Sequence, residues 1–124
     1  MKQRVLVVDD DRLVTDTLNL VFQVNGYESE AVYCAADGLA RARTFIPGLL
    51  LCDISMPEIS GIELAETLQH EMPDCKLLMF TAYASNADKV EQHIYRTRRP
   101  LKLLSKPCRP EILLREAESL LQTA

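Results

Sequence analysis

Polar side chains that could carry chemistry follow four short apolar runs of the chain, at the point where each run ends. Asp9 and Asp10 come directly after Val-Leu-Val-Val, and Asp53 follows Leu-Leu-Leu-Cys. Thr81 follows Leu-Leu-Met-Phe, and Lys106 follows Leu-Lys-Leu-Leu-Ser. Such runs are typical of buried strands in a parallel sheet, whose carboxyl ends lie along the edge where open α/β sheets bind ligands. The spacing therefore predicts one site that collects three carboxylates, a hydroxyl and an ammonium group.

The chemistry predicted for this site is metal-assisted phosphoryl transfer. Three carboxylates that lie close together repel one another, which raises the pKa of at least one of them. A divalent cation relieves the repulsion, and an oxygen-only ligand set favours Mg²⁺, with Mn²⁺ as an alternative, over zinc. A carboxylate can accept a phosphoryl group as a nucleophile, and Asp53, which ends the central run, is the best candidate. Lys106 would neutralise charge on the transferring oxygens, and Thr81 would donate a hydrogen bond to the attached group.

Strand and helix signals alternate along the chain. Asp11 and Ser60 are typical of helix N-caps, and Gly26 is typical of a left-handed helix end. Five successive β-α units predict an α/β protein with a doubly wound parallel sheet and right-handed crossovers. The apolar stripe predicted for the first helix consists of Leu13, Val14, Leu18, Val21 and Phe22. The predicted strands are 4–8, 28–33, 49–53, 76–80 and 101–104, and the predicted helices are 11–25, 35–44, 61–71, 85–95 and 110–121.

Length, charge and composition limit the classes of protein to which the chain can belong. Its 124 residues fit one domain, and a net charge of -4 argues against general nucleic-acid binding. No apolar stretch reaches the roughly 18 residues that a membrane span needs. The N-terminus lacks the pattern of a signal peptide, which predicts a cytoplasmic protein. The cysteines are Cys34, Cys52, Cys75 and Cys108, and they show no CxxC or zinc-like spacing. They are expected to be reduced and mostly buried, with Cys108 more exposed than the others.

Other polar groups are expected to have structural or surface roles. His70 and His93 lie inside predicted helices and are expected at the surface, and no Ser/His/Asp set is credible. The phosphate-binding pattern GxxxxGKS/T is absent, so nucleotide hydrolysis is not predicted. One basic cluster is best explained as a solvated loop, with electrostatic docking as the alternative. It consists of Arg96, Arg98, Arg99 and Lys102.

Four motifs occur in an order and spacing that covers essentially the whole chain. They are Val7-Val8-Asp9-Asp10, Asp53 with Met56-Pro57 and Gly61 downstream, Phe80-Thr81-Ala82, and Lys106-Pro107. Together they resemble the receiver domain of two-component response regulators. The resemblance implies a single-domain flavodoxin-like (βα)5 fold, with a five-stranded parallel sheet in the order 2-1-3-4-5. It also implies that residues 1–124 form one response regulatory domain, with no output domain visible.

The resemblance further implies roles for individual residues. Asp53 would accept a phosphoryl group from a sensor histidine kinase or a histidine phosphotransfer protein, in a reaction that requires Mg²⁺. The protein would be no enzyme beyond catalysing its own phosphoryl transfer and dephosphorylation. Asp10, Asp53 and the backbone carbonyl of Ser55 would bind the metal directly, whereas Asp9 would act largely through water. The groups that contact the phosphoryl group would be Thr81, Lys106 and the backbone of Ala82.

Receivers of this family signal by repacking the face formed by the fourth helix, the fifth strand and the fifth helix. That face would control a downstream effector or a C-terminal output domain, and it is a possible surface for a homodimer. Here Leu103 stands in place of the usual aromatic residue of strand five, and Arg98-Arg99-Pro100 replaces the usual Gly-Ala pair before that strand. Ser55 and Tyr83 flank the site and are expected to set the lifetime of the phosphoryl group, Tyr83 by restricting attacking water.

Two alternatives remain open. A receiver-fold docking module would bind its partner without phosphorylation. The intact set of site residues argues against this alternative, whereas Leu103 in place of the aromatic residue keeps it open; the set consists of Asp9, Asp10, Asp53, Thr81 and Lys106. A metal-dependent phosphatase of similar architecture commonly carries a second Asp two residues after the nucleophile as acid or base. Position 55 is Ser, which argues against the phosphatase. Direct contact of the protein with nucleic acid or with a membrane is not expected.

Overall fold

In the computed structural model, which describes residues 2–82, 86–98 and 101–122, strands and helices alternate as predicted. The described boundaries agree with the predicted ones to within two residues, and the predicted helix start at position 85 lies outside the described residues. None of the described helices is both long enough and apolar enough to cross a bilayer. The strands are β1 (Arg4–Val8), β2 (Glu28–Val32), β3 (Leu49–Asp53), β4 (Lys76–Thr81) and β5 (Lys102–Ser105). The helices are α1 (Arg12–Val24), α2 (Ala35–Phe45), α3 (Gly61–Glu71), α4 (Asn86–Thr97) and α5 (Pro110–Gln122).

The strands form one parallel sheet in the order β2-β1-β3-β4-β5, which confirms the flavodoxin-like topology. Asp53 pairs with Phe80, and Thr81 pairs with Ser105, so neighbouring strands end at nearly the same level. The strand order reverses between β1 and β3, and such a reversal opens a crevice at the carboxyl edge of the sheet. The register therefore brings the polar residues at the ends of β1, β3, β4 and β5 to one crevice.

Alternate residues of the central strands pack into two hydrophobic cores. One core lies between the sheet and α2, α3 and α4, and it includes Leu6 and Leu50. The other core lies between the sheet and α1 and α5, and it includes Val5 and Leu49. This burial on both faces explains why the strand sequences are continuously apolar rather than alternating.

The first helix begins as predicted, but one residue of its predicted stripe faces solvent. The Asp11 side chain caps α1 by accepting a hydrogen bond from the backbone N–H of Val14 at 3.2 Å. The prediction that Leu13 belongs to the buried stripe is wrong, because this residue is 78% exposed. Thr15 and Phe22, which are two turns apart, lie on the buried face of α1. Leu13 comes two positions before Thr15, and this spacing places it on the opposite, exposed side of the helix.

Two other predicted helix ends are confirmed. Gly26 follows the last turn of α1 and has a φ of 93°, a backbone conformation that side chains disfavour. Ser60 caps α3, since its hydroxyl accepts a hydrogen bond from the backbone N–H of Glu63 at 3.3 Å. Both ends therefore follow from local chemistry that the sequence alone carries.

The cysteines are less uniformly buried than predicted. Cys52 and Cys75 are buried as expected, and Cys108 is half-buried. Cys34 is exposed, because it occupies the N-cap position of α2, where its Sγ accepts a hydrogen bond from the backbone N–H of Asp37 at 3.4 Å. Its burial was predicted from residue type, whereas its exposure follows from its place at a helix end.

Polar side chains make up most of the buried face of α4. The prediction that His93 lies at the surface is wrong, because this residue is 1% exposed. Its ring nitrogens lie 3.1 Å from Glu66 Oε1 and 3.0 Å from Gln69 Oε1, both on α3. These partners make the burial possible, since a buried imidazole needs hydrogen bonds at both nitrogens. The buried residues of α4 are Asn86, Val90 and His93.

Candidate functional site

The three carboxylates predicted from the sequence meet at the carboxyl edge of the sheet. Asp9 and Asp10 follow β1, and Asp53 ends β3. Each offers an oxygen atom, and these atoms all lie within 4.8 Å of one another. Asp9 and Asp53 are 2% and 7% exposed, whereas Asp10 is open to solvent. This acidic cluster (Asp9, Asp10 and Asp53) therefore combines two buried carboxylates with one that is open to solvent, and together they could hold a metal ion.

Lys106 reaches into the acidic cluster from the loop that follows β5. Its Nζ lies 2.7 Å from Asp9 Oδ2 and 3.7 Å from Asp53 Oδ2. The ammonium group also lies 5.2 Å from the centre of the Phe80 ring, a distance at which an aromatic face attracts a cation. One ammonium does not balance three carboxylates, so the cluster has an excess of negative charge that a divalent cation would offset. The same ammonium could neutralise negative charge that develops next to the Asp53 carboxylate.

Burial and the neighbouring Asp9 carboxylate raise the pKa of Asp53 from 3.8 to about 6. The Lys106 ammonium and the backbone N–H of Ser55, which donates to Asp53 Oδ1 at 3.4 Å, oppose this shift. A divalent cation in the acidic cluster would lower the pKa of Asp53 again and keep the carboxylate ionised at neutral pH. Because all the donors are oxygen atoms, the cluster fits a hard cation.

The loop after β3 approaches Gly61 so closely that only glycine fits. A Cβ atom on Gly61 would lie 2.0 Å from the carbonyl oxygen of Asp53 and 2.8 Å from its carbonyl carbon. The backbone N–H of Gly61 donates a hydrogen bond to the carbonyl oxygen of Ile54 at 2.8 Å. The first residue of α3 therefore lies directly against the peptide that carries Asp53 and fixes its position.

A buried amide that is not among the predicted site residues connects the site to α4. Asn86 is 2% exposed, and its Nδ2 donates hydrogen bonds to Thr81 Oγ1 at 2.7 Å and to Ser55 Oγ at 2.9 Å. We call these three residues the Asn86 link. Asn86 lies one turn before Val90 and two turns before His93, which places it on the buried face of α4. That spacing is the sequence signal that could have identified it.

The remaining predicted residues are placed less closely to the acidic cluster or lie outside the described residues. Ala82 is exposed and lines an apolar cleft with Lys106, Leu13 and other residues of α1 and the β5-α5 loop. Leu103 is half-buried and packs against the core under α2, α3 and α4. Tyr83 lies outside the described residues. Its effect on the lifetime of the phosphoryl group therefore stays a prediction.

The described members of the basic cluster are exposed, as expected for a solvated loop. Arg96 pairs with Glu66, and Lys102 Nζ lies 3.5 Å from a carboxylate oxygen of α5. The Arg98 guanidinium lies 5.2 Å from the centre of an exposed tyrosine ring on α4. Exposed pairs of this kind add little to stability. Arg99 lies outside the described residues.

Solved structures share this fold. The chain is similar to a CheY-like response regulator receiver domain protein of Methanospirillum hungatei, with 31% identity, coverage of 98% of this chain and 94% of that chain, and a TM-score of 0.88. It is similar to the chemotaxis protein CheY4 of Vibrio cholerae, with 25% identity, coverage of 97% and 99%, and a TM-score of 0.85. It is also similar to the response regulator TrrA of Thermotoga maritima, solved in complex with Mg²⁺-BeF, with 25% identity, coverage of 95% and 98%, and a TM-score of 0.83.

Curated relatives and a family profile identify the chain. The response regulators MprA of Mycobacterium bovis and of Mycobacterium tuberculosis are each 33% identical to it over 90 residues, which is 73% of this chain. Those residues cover 39% of each relative, so the chain spans less than half the length of these proteins. Residues 5–118 match the profile of the response regulator receiver domain. The chain therefore belongs to the response regulator receiver domain family of two-component systems.

Proposed function

We propose that the chain is the phosphoacceptor module of a two-component phosphorelay, with Asp53 as the acceptor. The observation that carries the proposal is the buried Asp53 carboxylate inside the acidic cluster, with the Lys106 ammonium 3.7 Å away. Membership of the receiver family supports the assignment, and so does the Mg²⁺-BeF complex of the relative TrrA. The donor would be a sensor histidine kinase or a histidine phosphotransfer protein.

The proposed step is a displacement at phosphorus. An oxygen of Asp53 forms a bond to phosphorus while the bond from phosphorus to the donor histidine nitrogen breaks. The nitrogen keeps the electron pair of that bond and takes up a proton as it leaves. Lys106 stabilises the negative charge on the phosphoryl oxygens. The hydroxyl of Thr81 and the backbone of Ala82 would contact the phosphoryl group once it is attached.

The acidic cluster and the backbone carbonyl of Ser55 would hold Mg²⁺, for which Mn²⁺ could substitute. When bound, the cation supplies charge neutralisation at the phosphoryl oxygens. Asp10 and Asp53 would bind the metal directly, whereas Asp9 would act largely through water. The protein would thus catalyse its own phosphorylation and dephosphorylation and no other reaction.

Replacing Asp53 with asparagine should abolish phosphorylation, because the amide cannot act as the nucleophile. The measurement is intact mass after incubation with acetyl phosphate, with and without Mg²⁺. We expect the parent to gain one phosphoryl group only with Mg²⁺, and Asp53→Asn to gain none. Asp74→Asn, which makes the same change at an exposed carboxylate, should behave like the parent.

A parent protein that gains no phosphoryl group from acetyl phosphate or from a phosphorylated histidine donor would contradict the proposal. That result would favour the second candidate function, a receiver-fold docking module that works without phosphorylation. The specific observation in its favour is Leu103, which stands where family members usually carry an aromatic switch residue and packs half-buried against the core.

The output surface would be the face formed by α4, β5 and α5. Phosphorylation would shift its packing and thereby control a partner protein or a C-terminal output domain, or promote a homodimer. Direct contact with nucleic acid or with a membrane is not proposed, and a cytoplasmic location stays a prediction.

Replacing Tyr83 with alanine should shorten the lifetime of the phosphoryl group several-fold, because the bulky side chain is expected to restrict attacking water. The measurement is the loss of phosphoryl mass with time after the donor has been removed. Tyr95→Ala is the control, since this tyrosine is 76% exposed on α4. Unchanged or slower loss in Tyr83→Ala would refute the assigned role.

A further inference from the structure

We propose that Asn86 is a positioning residue that holds the Thr81 hydroxyl and the first turn of α4 in the unphosphorylated arrangement. The inference rests on the proposed function, because it concerns what happens when Asp53 is phosphorylated. Its basis is the Asn86 link, in which one buried amide donates to Thr81 Oγ1 at 2.7 Å and to Ser55 Oγ at 2.9 Å.

The Asn86 link joins three segments that surround Asp53. Ser55 belongs to the loop after β3, and its backbone N–H donates to Asp53 Oδ1. Thr81 ends β4, and its carbonyl oxygen accepts a hydrogen bond from the backbone N–H of Lys106 at 2.7 Å. Asn86 is the first residue of α4. The Asn86 side chain therefore connects both hydroxyls to the first turn of α4.

The bond from Asn86 fixes the position of the Thr81 hydroxyl oxygen, the group that would contact a phosphoryl group on Asp53. With the amide at 2.7 Å, the Thr81 hydroxyl oxygen points toward α4. In the proposed switch, the Thr81 oxygen moves toward the acidic cluster when its hydroxyl donates to the phosphoryl group on Asp53. The bond from Asn86 is then lost, or Asn86 has to follow. The link therefore favours the unphosphorylated state, and phosphorylation releases or pulls the first turn of α4.

The first turn of α4 can shift on phosphorylation because little apolar packing holds this helix. Among the buried residues described for it, only Val90 is apolar. Its last turns are held to α3 by His93, whose ring contacts Glu66 and Gln69, and by Arg96, which pairs with Glu66. Losing the bonds of Asn86 would free the first turn while these contacts keep the last turns in place. Hydrogen bonds of this kind exchange between two arrangements more readily than a packed apolar face does.

The first test is the affinity for beryllofluoride, a phosphoryl mimic, in the presence of Mg²⁺. If the link favours the unphosphorylated state, Asn86→Ala should bind beryllofluoride about fivefold more tightly than the parent, the effect of losing one buried hydrogen bond. Gln92→Ala, which removes an exposed carboxamide from the same helix, should leave the affinity unchanged. Titrations followed by NMR amide signals give both values. Unchanged or weaker binding by Asn86→Ala would overturn the proposal.

The second test is amide hydrogen exchange of residues 86–98, which needs no ligand for its main comparison. In the metal-free, unphosphorylated protein, Asn86→Ala should exchange about fivefold faster than the parent. With Mg²⁺ and beryllofluoride bound, the two proteins should exchange at the same rate. Equal acceleration in both states would show a purely structural role and overturn the proposal. If the parent itself neither binds beryllofluoride nor accepts a phosphoryl group, the proposed function fails instead.

Discussion

Asp53→Asn should raise the free energy of unfolding of the metal-free protein by about 2 kcal/mol at pH 7, although it removes the proposed phosphoacceptor. The raised pKa of Asp53, from 3.8 to about 6, corresponds to a destabilisation of about 3 kcal/mol when the group is ionised. Its main causes are burial and the nearby Asp9 carboxylate. A neutral amide avoids both, while Lys106 keeps its contact with Asp9 at 2.7 Å.

The pH dependence of this effect has a definite sign. A carboxyl group whose pKa is raised by folding destabilises the folded state only at pH values where the unfolded chain has lost the proton. The difference between Asp53→Asn and the parent should therefore be near zero around pH 4, grow between pH 4 and pH 6, and stay constant above that range. Urea unfolding at a series of pH values, in the presence of a chelator, measures it.

Magnesium should reverse the order of stability. Because the parent has the complete acidic cluster, saturating Mg²⁺ should stabilise it more than the variant. The matched control is Asp74→Asn, which replaces an exposed carboxylate. Without metal it should be about as stable as the parent, and because it keeps the acidic cluster it should gain as much stability from Mg²⁺ as the parent does. A metal-free Asp53→Asn protein that is less stable than the parent at pH 7 would mean that the Asp53 carboxylate stabilises the fold through its contact with Lys106.

Gly61→Ala should destabilise the protein by about 4 kcal/mol, the range reached when a substitution forces a backbone clash. The added Cβ would lie 2.0 Å from the carbonyl oxygen of Asp53. A backbone atom cannot move aside as a flexible side chain can, so either α3 or the β3-α3 loop must shift. Because that loop begins directly after the proposed phosphoacceptor Asp53, the rate of phosphorylation by acetyl phosphate should fall together with the stability.

Gly48→Ala is the matched control for this substitution. Its nearest contact would be Leu121 Cδ2 at 3.2 Å, the end of a side chain on α5 that can adjust. We expect it to change the free energy of unfolding by less than about 1 kcal/mol. Urea unfolding compares both variants. If they proved equally stable, the close approach of Gly61 to Asp53 would not be what fixes the start of α3.

The polar groups of the site could be predicted because each follows directly on a buried strand. Because the strands are parallel and in register, Asp9, Asp53 and Thr81 lie together at the carboxyl edge of the sheet. The caps at Asp11 and Ser60 were equally predictable, since a cap depends on neighbours within a few residues. The prediction from residue type was wrong for Cys34, whose place at a helix end outweighs the tendency of cysteine to be buried.

The sequence by itself determined the order of the elements, the parallel sheet and the convergence of the acidic cluster with Lys106, because strand burial and chain order suffice for these features. Only the tertiary structure decided which side chains of the helices turn inward. Leu13 faces solvent, while Asn86 and His93 are buried. The reason is that a buried polar group depends on partners from other elements: Ser55 and Thr81 for Asn86, and Glu66 and Gln69 for His93.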